Sequence, residues 1–82
     1  MTRAMAYLFD CLRYGIPIET AGSDTLWMDS YGRTWIGTDC GYGRSVLEVG
    51  PSIAIAVLRD AARSVTRECL EDWAADCARN PG

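Results

Sequence analysis

Histidine and lysine are absent from this 82-residue chain, and so is glutamine. The lack of histidine removes the commonest general base and the usual imidazole metal ligand. It also leaves every Ser and Cys without the partner that normally activates it as a nucleophile. All eight cationic residues are Arg (Arg3, Arg13, Arg33, Arg44, Arg59, Arg63, Arg67, Arg79), set against eleven Asp and Glu for a net charge of −3. A protein that reads phosphate backbones needs a clustered surplus of cations, so direct nucleic-acid binding is not expected. The all-Arg usage, with abundant Ala, reads as the mark of a GC-rich source genome.

Long apolar runs are missing as well. No segment reaches the roughly 18 apolar residues of a membrane span. The apolar stretch over residues 4–12 is short, is interrupted by Asp10 and lacks a small-residue cleavage pattern, so it does not read as a signal peptide. The expected location is cytoplasmic, the host cell cytoplasm if the chain is phage-encoded. Four cysteines are present (Cys11, Cys40, Cys69, Cys77), but no Cys-x-x-Cys pair. Cys69 and Cys77 on one helix would stand roughly 12 Å apart at 1.5 Å per residue, too far for a disulfide. Cys11, Cys69 and Cys77 read as free thiols on apolar faces, and Cys40, in a Gly-flanked loop, as the exposed one. Neither a metal nor a cofactor is expected.

What is present fits one domain over residues 1–82. With 49% apolar and 23% charged residues the composition is globular. A chain of this length builds a single core, burying about 60–65% of its unfolded surface.

The pattern along the chain is α+β. Thr2 stands as N-cap before Met5, Leu8, Phe9 and Leu12 at helical spacing, and Gly15 is placed to end that helix. Pro17 confines the next segment, residues 16–20, to a short strand at a sheet edge. Leu26-Trp27-Met28 and Thr34-Trp35-Ile36 flank Asp29-Ser30-Tyr31-Gly32-Arg33, which predicts a hairpin with a three-residue loop and bulge. That register pairs Trp27 with Trp35 and Asp29 with Arg33 on one face, and Leu26 with Ile36 on the other. Residues 45–49 read as a further strand, for a sheet of three or four, or as an extended approach to the next helix. Gly50-Pro51-Ser52 opens a long C-terminal helix, Pro sitting in its first turn and Ser available as cap. Its apolar stripe (Ala54, Val57, Leu58, Ala61, Ala62, Val65, then Cys69, Leu70, Trp73 and Cys77) predicts one rod of about 27 residues and roughly 40 Å, with a bend near Ser64-Val65-Thr66 and a stop at Asn80-Pro81-Gly82.

Few constellations carry chemistry. Asp24, Asp29 and Asp39 surround the hairpin and could supply an acid/base pair, though Asp in turns is expected for backbone reasons alone. Gly41-Tyr42-Gly43 has the opening of a phosphate loop without the third Gly, the Lys or a following helix; it reads as a surface turn with Tyr42 as a contact residue. On the last helix Arg59, Arg63 and Arg67 form one row and Glu68, Asp72 and Asp76 another, with Glu71 one turn after Arg67. Carboxylates near a helix C-terminus oppose the macrodipole, which hints at an acidic ridge that docks on a basic partner. Trp27, Trp35 and Tyr31 have two readings, core filling or an exposed contact patch.

The stretch Leu12-Arg13-Tyr14-Gly15-Ile16-Pro17-Ile18-Glu19, then Leu26-Trp27-Met28, then Gly50-Pro51-Ser52-Ile53-Ala54-Ile55-Ala56-Val57-Leu58-Arg59-Asp60-Ala61-Ala62, resembles small phage proteins with an α/β/α sandwich. The resemblance covers about half of the chain and brings no catalytic residues. It implies a phage or mobile-element accessory protein, and with the size and acidity it suggests an anti-CRISPR-type inhibitor. The expectation is a non-enzymatic binder of a host protein, such as a CRISPR effector or another nucleic-acid-binding complex, with Glu68, Glu71, Asp72, Asp76, Trp27, Tyr31, Trp35 and Tyr42 as contacts. The alternative is an assembly subunit whose long helix forms a homodimer seam.

Overall fold

The computed structural model describes residues 2–20, 22–39 and 41–79. Helix α1 (Arg3–Arg13) starts where the Thr2 hydroxyl accepts the Met5 N–H at 3.2 Å. At its other end the Gly15 N–H donates to the Leu12 carbonyl and the Ile16 N–H to the Cys11 carbonyl, which satisfies two of the orphan acceptors of the last turn. Four antiparallel strands follow in spatial order: β1 (Ile18–Glu19), β2 (Thr25–Met28), β3 (Thr34–Asp39) and β4 (Arg44–Val49). Two more helices, α2 (Pro51–Ala62) and α3 (Arg67–Arg79), complete the chain.

The hairpin forms in the expected register, with Leu26 opposite Ile36 and Trp27 opposite Trp35. The Asp29 N–H donates to the Arg33 carbonyl at 2.9 Å, and Gly32 takes the positive φ, 80°, that the bulged turn requires. Strand alternation then decides which side chains meet the helices. Leu26 and Met28 of β2, Ile36 of β3 and Val49 of β4 point to one face, against Leu8 and Leu12 of α1 and Ala54, Leu58 and Ala61 of α2. Leu26 and Leu58 are wholly buried at 0% exposure, each contributing about 1.5–3 kcal/mol by removal from water.

The helices therefore gather on one side. Helix α3 packs on α1 and not on the sheet's opposite face. The three-layer sandwich that the phage-protein resemblance implies is replaced by a sheet with one covered face and one bare face.

The single rod expected at the C-terminus is divided at the anticipated bend. The Arg63, Ser64 and Val65 amides each bond to a carbonyl three residues back, tightening the end of α2. Thr66 then caps α3, its hydroxyl accepting the Cys69 N–H at 3.1 Å. Physically, α2 follows the core, whereas α3 turns to rest on α1 and has no fully buried residue. The dimer seam of the assembly reading has no continuous helix to run along, because Ala54, Leu58 and Ala61 are spent on the chain's own core. Ser52 is no cap: Gly50 holds that position, Pro51 is the first helical residue, and no side chain caps α2. The ending at Asn80-Pro81-Gly82 and the Cys40 thiol lie outside the described residues.

Candidate functional site

The sheet's bare face is built by alternation from Glu19 of β1, Thr25 and Trp27 of β2, Trp35, Gly37 and Asp39 of β3, and Arg44, Val46 and Glu48 of β4. Trp27 and Trp35 lie side by side across the β2–β3 pair, both half-buried. The Arg44 guanidinium sits 5.4 Å from the centre of the Trp27 ring. To get there it passes over Gly37, where a Cβ would stand only 2.5 Å from Arg44 Nε. The glycine thus makes room for the cation.

Asp29 anchors one end of this face. Its Oδ1 accepts the Tyr31 and Arg33 backbone amides, both at 2.9 Å, and its Oδ2 accepts the Trp35 indole N–H at 2.9 Å. The Trp35 bond is the largest influence and, with the two amides, holds the carboxyl below its ordinary value against desolvation, the next largest, which pushes it up. A carboxylate so engaged fixes the turn and orients Trp35. The other two turn aspartates point elsewhere: Asp24 lines a cavity with Ile36, Ile53 and Val57, and Asp39 a different one with Gly37 and Arg44. The structure does not assemble Asp24, Asp29 and Asp39 into an acid/base centre.

Tyr31, at the hairpin tip, is 84% exposed, with the Arg33 guanidinium 5.8 Å from its ring centre. Tyr42 is fully exposed in the β3–β4 turn. That turn leads into a strand and not a helix, so Gly41-Tyr42-Gly43 lacks the helix N-terminus that a phosphate loop depends on.

The acidic residues of α3 stand apart from this aromatic surface, because α3 rests on α1. Asp76 is bound by Arg79 at 2.6 Å and Glu71 by Arg67 at 3.4 Å, both exposed pairs within the helix. Glu68 falls in the first turn of α3, where the macrodipole favours a carboxylate. The helix break thus reverses the dipole argument for Glu68 alone, since Asp76 still lies in the last turn of α3. Glu68 and Asp72 are the two of the four without an ion pair among the described residues.

Sequence reasoning missed the contacts that fasten α3. The Trp73 ring meets Tyr7 edge-on at 5.7 Å between centroids, and its indole N–H donates to Asp10 Oδ2 at 3.0 Å. Below that pair, hydrogen bonding to Cys69, then burial, then hydrogen bonding to Cys11 hold the Tyr7 hydroxyl well above the ordinary phenol range. Burial also pushes the Cys11 thiol up, which suppresses its thiolate. Cys11, Cys69 and Cys77 are free; Cys11 is buried as expected, while Cys77 is exposed and not on an apolar face. Among the described residues no group of His, Cys, Asp and Glu has the geometry of a metal site, and no helix is long and apolar enough to cross a membrane.

Comparison with known protein families, with curated proteins and with solved structures finds no match for this chain.

Proposed function

We propose that this chain is a non-enzymatic binding protein that docks through the bare face of its sheet onto a basic surface of a host protein. The observation that carries the reading is the grouping on that face of Trp27 and Trp35 with four carboxylates (Glu19, Asp29, Asp39, Glu48) against two guanidiniums (Arg33, Arg44). Adjacent aromatics supply apolar contact area of the kind that dominates interface energies. An acidic surround steers association toward cationic surfaces and rejects anionic ones. Surfaces that bind nucleic acid are cationic, so the partner class is a nucleic-acid-handling complex. In its narrowest form the reading is a phage-encoded inhibitor of a CRISPR effector, the origin that the sequence resemblance suggests. Tyr31 and Tyr42 extend the aromatic surface at its two ends, and Glu68 and Asp72 fall outside it.

Target-DNA cleavage by a purified CRISPR effector–guide complex, measured with and without this chain, tests the reading. The expected result is inhibition that weakens as salt rises, with a complex visible by size-exclusion chromatography. Trp27→Ala is expected to weaken binding by about 2 kcal/mol, or roughly thirtyfold, and Glu19→Arg to slow association, while Asp72→Arg on α3 leaves both unchanged. Absence of inhibition and of any complex removes that effector. Sensitivity to Asp72→Arg without sensitivity to Trp27→Ala overturns the assignment to the sheet face.

A further inference from the structure

The two edges of the sheet are guarded very differently. Strand β1 is two residues long and follows Pro17, both of which block the addition of another strand. Strand β4 has neither device. It spans six residues and pairs with β3 in unbroken register from Asp39 opposite Arg44 to Thr34 opposite Val49. It therefore lacks a bulge, and it contains no Pro and no Lys. Its outer edge presents a row of backbone groups with no strand beside them among the described residues. Val46 on the bare face is 49% exposed and Leu47 on the helix face 66% exposed, so apolar surface flanks the open ladder on both sides.

The strand is complementary to itself. We propose that β4 is a self-pairing edge: two copies of this chain join antiparallel along Arg44–Val49, with Val46 on the two-fold axis, into one eight-stranded sheet. In that register Arg44 of each copy lies opposite Glu48 of the other, Val46 meets Val46, and Ser45 faces Leu47. The opposite charges meet twice, once on each side of an apolar centre. Neighbouring two-fold registers lose this match: centred on Leu47 they set Val46 against Glu48, and centred on Ser45 they set Arg44 against Val46. A parallel pairing brings Arg44 beside Arg44 and Glu48 beside Glu48, which repel. Glu48 forms no ion pair among the described residues, so pairing supplies its missing cation. For Arg44 the change is an exchange of one exposed contact, over Trp27, for another. The bare faces of the two copies then run together, with a Trp27–Trp35 pair on either side of the axis.

Sedimentation velocity of the full chain over a range of concentrations tests this without any partner protein. A reversible monomer–dimer equilibrium is expected. Val46→Lys, which places two ammonium groups on the axis, is expected to leave monomer only. Glu48→Arg and Arg44→Glu are each expected to weaken the dimer by about tenfold or more, since like charges then stand opposite one another. The double variant R44E/E48R is expected to restore it, a rescue that damage to folding would not produce. A monomer at all concentrations overturns the proposal, as does a dimer indifferent to Val46→Lys or a double variant no better than the single ones. Capture of an extended foreign peptide by a chain that stays monomeric also counts against it. Because Glu19 lies on β1, at the opposite edge of the sheet from β4, failure of partner docking and failure of self-pairing are separately visible.

Discussion

Two tryptophans in this chain donate their indole N–H to an aspartate at nearly the same distance, 2.9 Å for Trp35 to Asp29 and 3.0 Å for Trp73 to Asp10. The first bond spans six residues and the second sixty-three. Trp35 and Asp29 are brought together by a turn whose chemistry is written within the same seven residues, and the bond seals a hairpin that local pairing already specifies. Trp73 and Asp10 meet because α3 folds back on α1, which requires the core between α1, α2 and the sheet to exist first. The same functional groups therefore report on two levels of organisation. Local geometry needs little loop closure, whereas a long-range contact forms only after the entropy of closing a long loop has been met by other contacts.

The largest expected effect erases this distinction. Leu58 is fully buried, and Leu58→Ala should cost about 2–5 kcal/mol, so that the hairpin and α3 lose structure at the same, lower denaturant concentration, followed by circular dichroism. The next sharpens it. Trp73→Ala removes the ring contact with Tyr7 and the bond to Asp10 from a half-buried position, and a loss of about 2 kcal/mol is expected. Amide hydrogen exchange should then quicken across α3 and the facing side of α1, with the β2–β3 amides unchanged. Thr66→Ala is smaller, about 1 kcal/mol from the lost cap, and should fray the first turn of α3 alone. Equal loss of protection in the hairpin after either α3 substitution would show that the two regions do not separate.

The mildest test is acid. The Asp29 carboxyl is held below its ordinary value in the fold, so its contribution is fully present above the ordinary Asp range, about pH 4. It is lost as the pH falls through the lower, folded value. Trp35 emission should change in that acidic window while Asp29→Asn, which keeps the size of the side chain, flattens the response. An identical acid transition in the Asn variant would mean that another group is responsible.

Much of this was legible in the sequence for physical reasons. Thr2 before the first apolar stripe, Gly15 after it, the Asp29-to-Arg33 turn and the alternation on either side each express preferences of a few neighbouring residues, and each element formed where those preferences place it. The bend in the C-terminal helix was readable too, at Ser64-Val65-Thr66, but its consequence was not. That Thr66 becomes a cap, and that Glu68 thereby moves from an unfavourable to a favourable end of a helix dipole, depends on where α3 finds a surface to rest. The candidate site divides in the same way. The pairing of Trp27 with Trp35 follows from the hairpin register, and the alternation Arg44, Val46, Glu48 on one face of β4 is a period-two signal open to the same reading.

The sequence by itself thus determined the elements, the hairpin register and the acidic, histidine-free chemistry, because those rest on backbone preferences and charges carried by each residue wherever it lies. Only the tertiary structure decided that both core helices settle on the same face of the sheet, leaving Trp27 and Trp35 on an uncovered surface and β4 as a six-residue open edge. An alternating strand states that it has two faces. Which of them is covered is settled by the packing of segments far away in the chain.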